Sequence, residues 1–230
     1  AGEPLAIAAP PQRAKGDRET GARPTPPGPP AAMLTFVPEI ETAREGQTSL
    51  HLYIIVDRSG SMMSSDKMEH VRQSLLLLLR SLPPETRFNI VSFGSRFSSL
   101  WPLKEARALD EASFSAASEH ARNMQADFGG TEILAPIEAV AASARENAGP
   151  EVRTKVLVLT DGQVYNVAQV AQAVATSAAE SRSTWYTICI GSDASRELTG
   201  AIARAGNGAV EYVANNERVD DKVIRHLKRM

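Results

Sequence analysis

The chain has 230 residues, of which 43% are hydrophobic, and it carries a formal net charge of -2 at pH 7. This length and composition predict one globular domain with a sizeable core, together with a tail. The small net charge and the lack of a concentrated basic segment argue against binding to nucleic acid. The longest apolar run, Leu75 to Leu79, is far shorter than the ~20 residues of a membrane-spanning helix, so we expect no membrane span.

The first 32 residues differ in composition from the rest of the chain. They hold eight of the fourteen prolines, four glycines and no aromatic residue. Such a segment cannot bury enough apolar surface to offset the loss of conformational entropy, which predicts a disordered Pro/Gly-rich linker over 1–32. A ligand for a domain that binds polyproline II is the alternative. The chain begins with Ala1, which predicts a piece of a larger protein with one domain over 33–230.

Strand-like and helix-like patterns alternate through residues 33–230. After a short leading strand over 33–40, this alternation predicts a doubly wound, Rossmann-like α/β fold with a mostly parallel central sheet and helices on both faces. With the first central strand over 50–56, we expect the strand order 3-2-1-4-5-6. The remaining predicted strands cover 87–93, 98–101, 155–160, 184–190 and 209–213, and the helices cover 66–82, 110–124, 133–147, 166–181, 197–205 and 217–228.

Some polar residues are expected to have structural roles only. Asp66 and Glu69 have the spacing of a helix-capping pair. Cys189 lies in an apolar strand pattern, which predicts a buried, inert thiol. The scattered histidines are expected at the surface or the rim of the domain and not as metal ligands, and these are His51, His70, His120 and His226.

Oxygen-bearing side chains follow two of the predicted strands. Asp57-Arg58-Ser59-Gly60-Ser61 comes directly after the first central strand, and Asp161-Gly162 follows the strand over 155–160. Because neighbouring parallel strands end at the same edge of a sheet, we expect Asp57 and Asp161 to meet there. A third hydroxyl, Thr131, follows a Gly-Gly loop. Together these side chains form a set of hard oxygen ligands, and the two acids would repel each other if no cation lay between them.

These residues resemble the metal-ion-dependent adhesion site of von Willebrand factor A domains. That family has Asp-x-Ser-x-Ser after its first strand, a later loop threonine and an Asp after its fourth strand. The resemblance extends from about Met33 to the end of the chain and includes 93–95, 129–134, 159–162 and 188–191. It is strongest toward the A domains that follow a VIT domain, as in inter-alpha-trypsin inhibitor heavy chains.

The resemblance implies a function in protein binding through a metal ion. Ser59 and Ser61 would bind the ion directly, whereas Asp57, Thr131 and Asp161 would bind it directly or through water. Mg²⁺ is the expected ion, with Mn²⁺ and Ca²⁺ as alternatives, and one coordination position is left for a Glu or Asp of a partner protein. At the variable position of the motif, Arg58 is expected to face solvent or the partner. Asp127 and Glu132 are expected to be ordinary loop and helix-start charges.

Enzyme motifs are missing from the corresponding positions. The segment after the first strand has neither Gly-x-Gly-x-x-Gly nor Gly-x-Ser-x-Gly, and an Asp-x-Asp phosphoryl-transfer motif would need an acid at Ser59. The sequence therefore predicts a non-enzymatic domain. Two functions stay open: a cation-dependent protein-interaction module, and a non-catalytic scaffolding or regulatory segment of a larger multidomain enzyme, such as a polymerase or the partner subunit of an ATPase.

Overall fold

The computed structural model describes residues 49–162, 164–215 and 217–229. Within these ranges, strands and helices alternate as predicted. The strands are β1 Ser49–Asp57, β2 Arg87–Phe93, β3 Phe97–Ser99, β4 Arg107–Ala108, β5 Val152–Thr160, β6 Thr184–Ile190 and β7 Val210–Val213. The helices are α1 Lys67–Ser81, α2 Glu111–Arg122, α3 Leu134–Glu146, α4 Val167–Ser181, α5 Arg196–Ala205 and α6 Asp220–Leu227. The predicted linker over 1–32 and the leading strand over 33–40 lie outside the described residues.

The strands form one mostly parallel sheet with the order β3-β2-β1-β5-β6-β7, and β4 also pairs with β2. β1 is central and pairs in parallel with both β2 and β5. β3 and β4 run antiparallel to β2. This arrangement confirms the predicted fold class and strand order. The sequence pattern does not predict β4, because a strand of two residues is too short to show a periodicity.

Both faces of the sheet are covered by helices, and β1 shows how. Leu52 and Ile54 point into a core that α1, α2 and α6 complete. Tyr53 and Ile55 point into a second core, which α3, α4 and α5 complete. Because both faces of β1 are buried, its residues 52–56 form a continuous apolar run without the polar-apolar alternation of a half-exposed strand.

A buried side chain in β2 shortens the pairing with β3, which was predicted over 98–101. The Asn89 amide donates to the carbonyl oxygen of Trp101 at 2.9 Å and accepts from its backbone N–H at 3.2 Å. Asn89 thereby takes the backbone hydrogen bonds that Trp101 would otherwise make within a longer strand. β3 consequently ends at Ser99.

Two helices begin in different ways. At α2, the Asp110 carboxylate accepts from the backbone N–H of Ser113 and the Ser113 hydroxyl accepts from the Asp110 N–H, which forms a reciprocal capping box. The corresponding prediction for α1 is wrong, because the Asp66 side chain makes no capping bond. Glu69 instead accepts hydrogen bonds from Arg72 and Gln73. None of the described helices has the length and apolarity needed to cross a bilayer.

Three of the four histidines are buried, which corrects their predicted place at the surface or rim. They are His51, His70 and His226, whereas His120 is partly exposed. His226 is 1% exposed and packs edge-on against Tyr186, with 5.4 Å between the ring centroids. Burial, assisted by the nearby Arg229 charge, lowers the pKa of His226 to about 4. Cys189 is a buried free thiol, as predicted, and its pKa is raised by burial.

Candidate metal centre

The candidate site lies where β1 and β5 end side by side. Asp57 is the last residue of β1, and Asp161 follows the last residue of β5. The two strands are paired in register up to Val56 and Leu159, so both acids leave the sheet at the same edge. Both acids are fully buried, as is Ser59. Two carboxylates without access to water are costly unless they are hydrogen-bonded or paired with a cation.

The turn after β1 gathers three of the predicted site residues. The Asp57 carboxylate accepts from the backbone N–H of Ser59 at 2.9 Å, which closes a local turn. The Ser59 and Ser61 hydroxyl oxygens lie 3.0 Å apart within hydrogen-bond distance. The chain continues as the 3₁₀ turn Gly60–Met63 before α1 begins. Asp57, Ser59 and Ser61 therefore form one connected cluster.

The loop that carries Thr131 is joined to this cluster by a backbone contact. The Gly60 N–H donates to the carbonyl oxygen of Gly129 at 2.6 Å, which ties the loop to the turn after β1. The loop also packs against Gly94, where an added Cβ would lie 2.4 Å from the Phe128 Cβ. Only glycine allows the two backbones to come this close. Thr131 itself is partly exposed, two residues after Gly129.

Asp57 is held by hydrogen bonds on both carboxylate oxygens. Its second oxygen accepts from the Thr160 hydroxyl at 2.6 Å, and that hydroxyl accepts from the Gly162 N–H at 3.0 Å. Burial raises the pKa of Asp57 to about 6; the Asp161 charge adds to this rise, and the Ser59 and Thr160 hydrogen bonds oppose it. Thr160 belongs to no motif that would mark it in the sequence. The one feature that could have identified it is a hydroxyl at the last position of β5, next to a strand that ends in an acid.

The surroundings of Asp161 favour a cation at this site. Its Oδ1 atom is buried and has no hydrogen-bond partner among the described residues. An unpaired buried carboxylate oxygen is costly, and a cation would satisfy it. Hydroxyls and carboxylates are the ligands of hard divalent ions. Within the described ranges, no group of three or more His, Cys, Asp or Glu side chains offers an alternative metal site. The residues present therefore fit a hard divalent cation.

Comparison with known proteins agrees with the fold and the motif. The profile of the von Willebrand factor type A domain matches residues 51–224. The chain belongs to this family. It is 34% identical over 210 residues to human von Willebrand factor A domain-containing protein 5A, and 32% identical over 199 residues to human protein 5B1. These alignments cover 88% and 86% of this chain but only 26% and 16% of the relatives, so the chain spans about a quarter of their length or less.

Solved structures of A domains share the fold. A von Willebrand factor type A protein from Catenulispora acidiphila superposes with a TM-score of 0.65 at 23% identity, covering 77% of this chain and 42% of that chain. Proximal thread matrix protein 1 from the mussel byssus, in a structure with a zinc-occupied MIDAS motif, gives a TM-score of 0.60 at 16% identity, covering 78% of this chain and 47% of that one. At these identities the likeness concerns the fold.

This A domain carries a buried lysine in its candidate metal centre, which the sequence analysis did not single out. Lys67 is 1% exposed, and its Nζ lies 3.2 Å from Asp161 Oδ2 and 3.0 Å from Asp193 Oδ2. The carbonyl oxygen of Ser61 is 3.4 Å away. Burial alone would lower the pKa of Lys67, but the Asp193 and Asp161 carboxylates outweigh it and raise that pKa. Lys67 is thus a positive charge of the chain itself. It lies beside Asp161 and offsets the repulsion expected between Asp57 and Asp161.

Arg58 does not face solvent, contrary to the prediction, because it holds the loop that precedes Thr131. It is 8% exposed, donates to Asp127 at 2.6 Å and donates to the carbonyl oxygen of Gln125 at 2.9 Å. Its guanidinium also lies 4.3 Å from the centre of the Phe128 ring, and that of Arg96 lies 4.6 Å from the same centre. Asp127 is accordingly an ion-pair partner and not a free loop charge. Arg58, at the variable position of the motif, thus contacts residues 125–128 of its own chain.

Proposed function

We propose that this domain binds a partner protein through a divalent cation. The ion would be held by Asp57, Ser59, Ser61, Thr131 and Asp161, and the partner would supply a Glu or Asp side chain. Mg²⁺ is the preferred ion, with Mn²⁺ and Ca²⁺ as alternatives. When bound, the ion supplies an electrophilic centre for the partner's carboxylate. The observation that carries the proposal is the buried, unpaired Oδ1 atom of Asp161 beside a second buried carboxylate.

The roles of the chain's own residues follow from their contacts. Thr160 and the Ser59 backbone N–H fix the orientation of Asp57. The turn Gly60–Met63 presents the Ser61 hydroxyl, which is partly exposed. Arg58 anchors the loop that carries Thr131. These residues bind and orient, and we propose that the domain is not an enzyme.

The domain organisation is also a proposal. We infer a linker over 1–32, an A domain over 33–230 and a larger parent chain of the VIT-containing type. The short coverage of proteins 5A and 5B1 by this chain supports a larger parent. Expression of the full chain and of a 33–230 fragment tests the boundary, and both should melt at the same temperature. A lower midpoint for the fragment would show that the first 32 residues contribute to the fold.

Calorimetry and thermal melting test the metal site, with Mg²⁺ as the probe. An ion that binds only the folded state stabilises it by roughly 2.7 kcal/mol at a hundred times its Kd. We expect the midpoint to rise in Mg²⁺ relative to EDTA. Ser61→Ala should abolish the rise, whereas Ser64→Ala, an exposed serine of the same segment, should keep it. A wild-type protein without heat of binding and without a rise would refute the metal site.

A random peptide library displayed on phage tests the carboxylate partner. Peptides selected on the Mg²⁺-loaded domain should share an Asp or Glu, release in EDTA and fail to bind the Ser61→Ala variant. Replacement of that acid by its amide should abolish binding. Peptides that bind equally well in EDTA would refute the metal-mediated mode and would favour the metal-independent scaffolding alternative.

A further inference from the structure

We propose that Lys67 is an internal counter-ion of the metal centre, which occupies Asp161 in the metal-free domain and thereby weakens divalent-cation binding. This inference rests on the proposed metal site. It assigns a role in setting the affinity for the ion to a residue that is not one of the five proposed ligands. Its ammonium group would compete with the ion for the same carboxylate.

The geometry around Lys67 is that of a bound cation. Its Nζ lies within 3.4 Å of three oxygen atoms: a carboxylate at the end of β5, a carboxylate between β6 and α5, and a carbonyl of the turn after β1. Lysine is almost never fully buried unless it is paired. All three partners are oxygens, the ligand type that a hard divalent ion also uses. The ammonium and the ion therefore require the same surroundings.

The chain leaves space for this side chain. Gly191, at the end of β6, has a φ of +109°, and an added Cβ there would lie 2.6 Å from the Lys67 Cε. A residue with a side chain at this position would push the aliphatic part of Lys67 out of place. The position of Lys67 is thus determined by backbone on one side and by carboxylates on the other.

The charge balance gives the direction of the effect. Asp57 and Asp161 carry two negative charges in full burial, and Lys67 compensates one of them. A divalent ion that enters beside Lys67 makes the centre positive by one charge, whereas without Lys67 the same ion makes it neutral. Asp193 compensates little of this excess because its side chain is 57% exposed and hydrated. Lys67 should accordingly weaken the binding of the ion and strengthen the attraction of the loaded centre for a carboxylate.

A purely structural role for Lys67 makes a different prediction. A salt bridge that only joins α1 to the ends of β5 and β6 would contribute equally with and without metal. Its removal would lower the melting midpoint by the same amount in EDTA and in Mg²⁺. An internal counter-ion matters most in the metal-free state, because the divalent ion takes over its role at Asp161. Its removal would therefore increase the stabilisation that Mg²⁺ provides.

The test compares Lys67→Met and Lys67→Gln, which remove the charge, with Lys67→Arg, which keeps it. Lys222→Met is the matched control, because Lys222 pairs with Glu217 away from the centre. Calorimetry gives the Kd for Mg²⁺, and melting gives the midpoints in Mg²⁺ and EDTA. In the limit of full screening by water, an ammonium and a divalent ion roughly 5 Å apart repel by the equivalent of about tenfold in affinity, and the burial of Lys67 makes this a lower bound. We expect the neutral variants to bind Mg²⁺ at least about tenfold more tightly and to show a larger midpoint rise.

Each outcome decides between the two roles. If the wild type binds Mg²⁺ and both neutral variants bind it with the same affinity, the proposed role of Lys67 is overturned. The proposed metal site is unaffected by that result. A neutral variant that folds only with Mg²⁺ also supports the inference, because the ion then replaces the missing charge. No binding in any variant refutes both proposals. Failure of both neutral variants to fold even in Mg²⁺, while Lys67→Arg folds, would overturn the inference, because the ion could not replace the charge.

Discussion

Replacement of Asp161 by Asn tests the electrostatics of the metal-free centre. Two carboxylates alone would repel, and the sequence therefore predicts that a neutral residue at this position leaves the metal-free domain as stable as the wild type or more stable. The structure reverses this expectation. Asp161 is 0% exposed and pairs with Lys67, whose side chain is 1% exposed, so the substitution leaves a buried ammonium with one carboxylate partner fewer.

The magnitude follows from these contacts. Removal of one partner from a buried ion pair costs roughly 3–5 kcal/mol, and the lower end applies because Lys67 keeps Asp193. The relief of repulsion with Asp57 returns about 1 kcal/mol. We expect Asp161→Asn to lower the free energy of unfolding in EDTA by about 2 kcal/mol, which corresponds to a midpoint decrease of about 4–8 °C for a domain of this size.

Urea unfolding in EDTA of the wild type, Asp161→Asn, Lys67→Gln and the double variant measures the pair directly. A coupling free energy of at least about 1 kcal/mol between the two sites is expected. Asp193→Asn is the control, because its exposed carboxylate should contribute less than about 1 kcal/mol. Equal stability of wild type and Asp161→Asn in EDTA, or additive single effects, would refute the ion-pair reasoning.

Three further predictions concern residues outside the metal ligands. The pKa of His226 is about 4 in the folded domain and 6.5 in the unfolded chain, so the free energy of unfolding should be full above pH 6.5 and should fall by about 3 kcal/mol as the pH decreases toward 4. Urea unfolding measured against pH should show a shallower decrease for His226→Phe than for the wild type. Equal slopes for the two proteins would contradict this prediction. Arg58→Lys should cost about 1–2 kcal/mol in thermal unfolding, because it loses the guanidinium contacts with Asp127 and Phe128; an unchanged midpoint would show that they contribute nothing. Gly94→Ala should cost about 1–3 kcal/mol and weaken Mg²⁺ binding in calorimetry, because its Cβ would displace Phe128; wild-type Kd and stability would contradict this.

The fold could be predicted from the sequence because its signals are local. The central strands are rich in apolar residues, the helices have apolar faces, and their alternation leaves few topologies. The closeness of Asp57, Ser59 and Ser61 could also be predicted from the sequence, since these residues share one turn. The closeness of Asp57 to Asp161 could be predicted because the strands that precede them, β1 and β5, are neighbours in the sheet.

The residues that the sequence analysis misjudged depend on contacts made far along the chain. Lys67 begins a helix and has the pattern of an exposed charge, but its partners Asp161 and Asp193 lie 94 and 126 residues away. Arg58 is paired with Asp127 over 69 residues. Burial of a charge is decided by such distant partners, and local periodicity carries no information about them.

The short edge strands restrict how another protein can join this domain. β3 has three residues and ends where Asn89 takes the backbone groups of Trp101, and at the other edge β7 has four residues. An extended segment of a partner would find few free backbone groups with which to continue the sheet, and long exposed edges are the usual cause of unwanted strand addition. Association by sheet extension is therefore disfavoured at both edges. Contacts with other proteins are left to side chains and to the loops at the strand ends.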